Sequence, residues 1–422
     1  IAPGRLQLLL VFRKRKWHNR SVMHTPTYTL PMPFRDAWKW AAFVALLFFL
    51  NYAARSTLSP LLVSLERDLG VGHAQSTSLL LLQGLGFAAA QAASGFLTGI
   101  VRPARVASLC LVASGACLMC MPLANTLNEA RGLFLAFGLT AGLYFPAGMA
   151  ILGSLVKPAD WGKAVGIHEL APNLNFIIVP LVAQAALLFT DWRGVFALVG
   201  ASMLLTGLAF LRWGRGGEHP AAPPSFKGSA AILRRPAAWV IALLLAITMS
   251  GEFAVFSVLQ LYLVNEGGFS PEHANFILSL SRLGTPLAVI GGGWAADALR
   301  PVPVLRLCLL AHALGLGLMA IRHETPALIG ACIQALSIAF AFPSLFKAIS
   351  GCFPLRRQPV LFSLTMPPAA LASAGGMPWF FGLCGEYAGF GIGFAALGVV
   401  SGLAALTLPL LRPRAAHTPL HP

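Results

Sequence analysis

Long apolar runs dominate the chain, and polar residues collect in the short gaps between them. A hydrocarbon core about 30 Å thick needs about 20 residues of helix to cross it. Runs of that length fall at 38–63, 76–99, 105–124, 131–153, 164–189, 193–212, 237–263, 274–297, 303–321, 326–351, 358–383 and 388–411. The pattern predicts an all-α multi-pass membrane protein with twelve transmembrane helices, six in each half of the chain.

The two halves echo each other. Shifted by 198 positions, Gly70 falls on Gly268, Gly86 on Gly284, Gly95 on Gly293, Arg102 on Arg300, Pro103 on Pro301 and Cys110 on Cys308. Phe145-Pro146 reappears 197 positions later as Phe342-Pro343. A repeat in this direction implies parallel six-helix halves related by a pseudo-two-fold axis along the membrane normal, with a site between them near the midplane, as in transporters.

Composition agrees, since 57% of the 422 residues are hydrophobic and only 10% are charged. The net charge of +16 suggests nucleic acid in a soluble chain, but its distribution excludes that reading. With the N-terminus placed in the cytoplasm, 24 Lys and Arg fall on its side and four, Arg67, Arg131, Arg193 and Arg322, on the other. That asymmetry predicts both termini inside a plasma membrane, the inner membrane of a bacterium. The seven cysteines lie in or at the ends of apolar runs, without the spacing of a disulfide framework or a metal site. No metal or cofactor is expected.

The expected organisation is a basic cytoplasmic tail over 1–35, an N-terminal half over 36–212, a solvated cytoplasmic linker over 213–236, a C-terminal half over 237–411 and a cytoplasmic tail over 412–422. The chain starts at Ile1, and Leu6 to Phe12 precedes Arg13-Lys14-Arg15-Lys16, the reverse of signal-peptide order. Met23 or Met32 is therefore a candidate for the true start, with the basic leader untranslated.

Local motifs resemble the major facilitator superfamily over nearly the whole chain. Gly95-Phe-Leu-Thr-Gly99-Ile-Val-Arg102-Pro103 and Gly293-Trp-Ala-Ala-Asp297-Ala-Leu-Arg300-Pro301 are similar to that family's signature after spans two and eight. The resemblance implies that Gly95, Arg102, Gly293, Asp297 and Arg300 brace the cytoplasmic side, although Gly99 replaces the acid in the first copy. Trp192-Arg193-x-x-Phe196 resembles the family's turn between spans five and six. Asn175 and Val179 stand where drug/proton antiporters carry glycines, which disfavours proton-coupled drug efflux. Asn51-Tyr52-x-x-Arg55-x-x-Leu58-Ser59 is similar to the first span of organic-anion symporters and organophosphate antiporters, with Ala54 where those often have Asp. There, the first-span arginine contacts an anionic substrate. Some monocarboxylate carriers use an eighth-span arginine, which implies the same for Arg282.

Charge at the membrane centre costs about 2.5–3.5 kcal/mol per residue even on permissive scales. The in-span charges Arg55, Glu169, Glu252 and Arg282 are therefore the leading site candidates, and each has two readings. Arg55, flanked by Asn51, Tyr52 and Ser59, either binds anion from a polar stripe or snorkels outward. Arg282, aligned with Asn275, Ser279 and Thr285, either clamps an anionic group with its planar fork or pairs with Glu252. A carboxyl held between low dielectric and a cation can exchange a proton in each cycle, so Glu252 either carries the coupling proton or forms that pair. His168 and Glu169, placed near the cytoplasmic end of span five, either relay protons or ease the helix out of the interface. Tyr144, Gln334 and Ser337 are candidates for lining the cavity.

The expected function is secondary active transport of a small organic anion, a carboxylate, sulfonate or phosphate ester, by alternating access and proton symport. The partners are that anion, the proton and the lipid bilayer, and a monomer suffices. An enzyme is disfavoured: there is no HExxH, and no GxxxxGK[ST] for a fused ATPase. A receptor that no longer moves solute is a third class, and the short tails offer it no signalling segment.

Overall fold

The computed structural model describes residues 31–220, 229–321, 323–354 and 357–411. Met23, the Arg13–Lys16 run, Arg322 and the 412–422 tail lie outside the described residues.

Among the described residues, twelve helices are long and apolar enough to cross a membrane. Spans one to six are Phe34–Leu69, His73–Ile100, Pro103–Leu123, Leu127–Leu155, Pro158–Ala186 and Trp192–Trp213. Spans seven to twelve are Pro236–Asn265, Pro271–Ala298, Pro301–Ala320, Glu324–Cys352, Gln358–Tyr387 and Phe390–Leu410. The face from which span one starts and at which span twelve ends is called the terminal face below, and the other the far face.

Helix ends follow local chemistry. The Thr126 side chain accepts from the Glu129 amide while Glu129 accepts from that of Thr126, so span four opens on a reciprocal cap. Asp191 caps span six, and Ser270 followed by Pro271 opens span eight. The repeat partners Gly70 and Gly268 both take positive φ, 62° and 70°, after spans one and seven. A side chain is strained in that conformation, which accounts for the glycine in each copy.

Spans one and five begin several residues before the apolar runs do. Asp160, at the start of span five, accepts from the Phe34 amide at 3.1 Å and so caps span one. Met32 bonds the chain just before span five through the Leu155 carbonyl and the Lys157 amide. The linker is not solvated throughout either. Gly217 donates to Ser154 at 2.6 Å, and a short helix, Ser229–Leu233, buries Ile232.

The halves meet along a seam toward the far face. Ser59 Oγ donates to the Phe256 carbonyl at 2.6 Å, and Gln260 Nε2 donates to that of Pro60 at 2.7 Å, joining spans one and seven. Asn275 donates to Gln184 at 2.9 Å and Ser279 to the Ile177 carbonyl at 2.8 Å, joining spans eight and five. Spans two and eleven touch through Gly84 and Gly375, where a Cβ added to Gly84 would lie 2.7 Å from the Gly375 Cα. Span two also packs against Gln358–Leu371, the half of span eleven nearer the terminal face. The cross-half hydrogen bonds of spans one, five, seven and eight thus gather toward the far face.

The glycine contact makes a direct prediction. Gly84→Leu should wedge spans two and eleven apart, because backbone and not a flexible side chain occupies the space. Spin labels at Gln75 and Tyr387 should show a longer interlabel distance in that variant. An unchanged distance distribution would rule out the contact as the far-face latch.

Candidate functional site

Arg55 lies on span one and is 6% exposed. Its guanidinium carbon sits 3.9 Å from the centre of the Phe87 ring, 5.1 Å from Tyr52 and 5.2 Å from Phe253. Arg282 on span eight is 1% exposed and rests 5.3 Å from Phe176 and 5.7 Å from Phe256. The rings form one cluster, with Phe176 5.4 Å from Tyr52, 6.4 Å from Phe253 and 4.6 Å from Phe256. Two guanidiniums therefore flank a shared aromatic wall between the halves, where cation–π attraction offsets part of their desolvation.

Neither arginine has a carboxylate in ion-pair range among the described residues, and the Nε of each is buried without a hydrogen-bond partner. Arg55 does not snorkel: its side chain is held in the protein interior by the three rings. Glu252 sits on a π-helical turn, Ser250–Ala254, within span seven. Arg282, Arg55 and Glu169 are the charges that act on it. It makes no direct ion pair with Arg282 among the described residues, so the permanent pair weighed from the sequence is not formed in this conformation.

The polar stripe on span one divides. Asn51 and Tyr52 flank Arg55 from opposite sides, about 100° apart, and meet different neighbours. Asn51 turns into the N-terminal half, where it donates to the Ala141 carbonyl at 3.1 Å, while Tyr52 turns to the aromatic wall. Tyr144 is also inside that half: its hydroxyl donates to the Val44 carbonyl at 2.7 Å and meets His168 Nε2 at 3.3 Å. Ser279 is spent on the seam, and Ser337 bonds back to the Gln334 carbonyl at 3.0 Å. Of the sequence candidates for substrate contact, Tyr52, Arg55, Arg282 and Gln334 converge.

His168 lies farther along its helix than the apolar run alone suggests. Span five starts at Pro158, which places this residue roughly 15 Å along a helix rising about 1.5 Å per residue. It is fully buried, stacks on Phe48 at 4.2 Å and contacts Glu169 through Nδ1 at 3.0 Å. The Glu169 side chain is 45% exposed. Tyr144, His168 and Glu169 form a continuous polar line that ends at a partly exposed carboxylate.

The signature residues differ in use. Asp297 pairs with Lys347 of span ten at 3.1 Å, whereas Arg102 and Arg300 make no ion pair among the described residues. The Trp192-Arg193 turn binds Asp68 at the end of span one: Trp192 Nε1 donates at 3.2 Å and Arg193 pairs with the same carboxylate. Sequence reasoning missed Phe87, Phe176, Phe253 and Phe256, because an apolar ring in an apolar helix carries no signal of its own. The repeat held one clue, since a shift of 198 carries Arg55 onto Phe253, the ring it meets across the axis.

Residues 44–280 match the family model described as Major Facilitator Superfamily. A relative in Mycobacterium tuberculosis, a probable nitrate/nitrite transporter NarK2, is 25% identical over 343 residues, covering 78% of this chain and 84% of its own. The human voltage-gated purine nucleotide uniporter SLC17A9 is 25% identical over 171 residues, 39% of each chain. Among solved structures, a bacterial homologue of the human lysosomal transporter Spinster, inward-facing and occupied, superposes with a TM-score of 0.72 at 17% identity, covering 90% of this chain and 97% of its own. A D-xylose-proton symporter superposes with a TM-score of 0.71 at 15% identity, covering 89% and 97%. These structures share the fold, and the family match covers more than half of the sequence: the chain belongs to the Major Facilitator Superfamily and is a multi-pass secondary transporter, not an enzyme.

Proposed function

We propose that this protein moves a small anion across the plasma membrane by proton symport, with Arg55 and Arg282 as the anion site and Glu252 as the proton carrier. The observation that carries the reading is the pair of buried guanidiniums, each without a carboxylate partner, facing one aromatic wall between the halves. Two buried cations with no carboxylate in direct contact are costly, and an anionic substrate supplies that contact. Guanidinium forks suit carboxylate, sulfonate and phosphate oxygens.

The terminal face is read as cytoplasmic from the distribution of Lys and Arg. Tyr144, His168 and Glu169 then form an exit line for the proton on that side. Planar inorganic oxyanions are a second reading, favoured by the nitrate/nitrite relative and by ring faces on both arginines.

Counterflow in proteoliposomes with nitrate, nitrite, L-lactate, methanesulfonate and glycerol 3-phosphate tests the reading, and exchange of none of them would overturn it. Arg55→Lys keeps the charge but loses the fork, so anion affinity should fall by on the order of 1–3 kcal/mol, the scale of a charge-assisted hydrogen bond. Unchanged affinity on titration of the purified variant would remove Arg55 from the site.

A further inference from the structure

The anion site and the carrier carboxylate do not touch, yet one side chain touches the framework of both. Gln334 of span ten is fully buried. With its amide oriented so that both ends are satisfied, the oxygen accepts from Arg282 Nη2 at 3.2 Å and the nitrogen donates to the Gly251 carbonyl at 3.0 Å. Gly251 immediately precedes Glu252 in the π-turn Ser250–Ala254.

A π-turn holds one residue more than an α-turn and is found mostly as a single strained turn at functional sites. Here its irregular hydrogen bond runs from the Val255 amide to the Ser250 carbonyl. The back of the turn lies on His312 of span nine. That imidazole is fully buried, its Nδ1 meets Ser401 Oγ at 2.9 Å, and its Nε2 has no hydrogen-bond partner. A Cβ on Gly251 would collide with Nε2 and with Ile338. A side chain there would have to displace them, and the backbone is gripped from two sides, by Gln334 and by a histidine whose second nitrogen is uncommitted. A second π-turn, Ala372–Gly376 in span eleven, packs against the first.

We propose that Gln334 is the positioning residue that links anion occupancy to proton occupancy. The inference rests on the anion and proton roles assigned above. When Arg282 turns its fork to an anion, it withdraws Nη2 from the Gln334 amide. The amide then loses its anchor, the Gly251 carbonyl loses its donor, and the turn is free to move toward His312 Nε2 and re-aim Glu252. The charged and titratable groups that act on Glu252 are Arg282 of span eight, Arg55 and Tyr52 of span one and Glu169 of span five, with His312 of span nine behind the turn. Protonation of Glu252 and occupancy of Arg282 thus become mutually dependent, as symport requires.

The test measures how anion affinity depends on pH. Nitrate and L-lactate serve as probes, one planar inorganic oxyanion and one small carboxylate, titrated into the purified full chain from pH 5 to 9. In the native protein affinity should rise as pH falls, by up to about tenfold per pH unit for one linked proton. Gln334→Met fills the same space without either hydrogen bond, so its affinity should be weaker and nearly independent of pH. Gly251→Ala disturbs the turn from the side away from Arg282. It should retain anion exchange and lose accumulation driven by a pH gradient. Thermal unfolding of each variant reports on the fold, and either variant suffices if the other does not fold. If native protein binds the probe with pH linkage and the folded variant keeps that linkage, the bridge is wrong while the transport reading stands. If the native protein binds neither probe, or binds without pH linkage, the transport reading falls and takes the bridge with it.

Discussion

Arg282→Met is expected to abolish measurable anion binding and at the same time to raise the thermal stability of the protein. The two effects have one origin. A guanidinium that is 1% exposed, with a buried Nε lacking any partner, gives up its hydration for two ring faces and one amide. Replacing a poorly compensated buried charge by an apolar side chain of similar length is often stabilising by about 1–4 kcal/mol. Binding should suffer in proportion to what the anion gains, about 1.5–3 kcal/mol for each hydrogen bond to a charged group, or at least a hundredfold for a two-pronged contact. Titration and thermal unfolding on one preparation read both. A variant that loses stability would mean that Arg282 holds the fold together, and the anion site would have to be sought elsewhere.

Glu252→Gln is the second large effect. The amide mimics the protonated carboxyl, so accumulation against a gradient should disappear. Exchange of substrate for substrate should persist, because it can cycle without releasing the proton. A structural Glu252–Arg282 pair predicts a different outcome: breaking a buried pair costs roughly 3–5 kcal/mol, and stability, exchange and accumulation should fail together. The two side chains make no direct ion pair among the described residues, so the melting temperature is expected to hold. Full pH-driven uptake by the variant would move the proton to His168 or Glu169.

The twelve spans were legible because their signal is redundant: apolar length, charge asymmetry and an internal repeat all encode the same topology. In-span charges were legible for a related reason, since lipid makes each one expensive enough to demand a cause. The neighbours of those charges were far less legible. Asn51 and Tyr52 look alike as polar residues beside Arg55, yet a rotation of about 100° sends one into the N-terminal half and the other to the central wall. Gln334 reads as a cavity-lining amide, and its contact with the Gly251 backbone depends on a π-turn that no apolar periodicity marks. His312 sits in a run of leucines and alanines, and its importance is visible only once Gly251 is seen against it. The aromatic wall is the extreme case, being built from residues that the membrane already accounts for.

The contacts along the axis carry a further meaning. Ser59 meets Phe256, Arg55 meets Phe253 and the Val63 amide approaches Gln260, pairs separated in sequence by 197 or 198 residues. Such pairings are the isologous contacts of a two-fold homodimer, in which each residue touches its own copy or that copy's neighbour. The seam therefore has the geometry of a half associating with a copy of itself, the two copies here belonging to one chain. In a dimer of identical halves any charge near the axis would come as two symmetric copies. Two unlike halves escape that constraint: a shift of 198 carries Ala54 onto Glu252 and Gly84 onto Arg282. The duplicated frame supplies the symmetry for rocking, and divergence at a few axial positions supplies a polarity that no pair of identical subunits could have had.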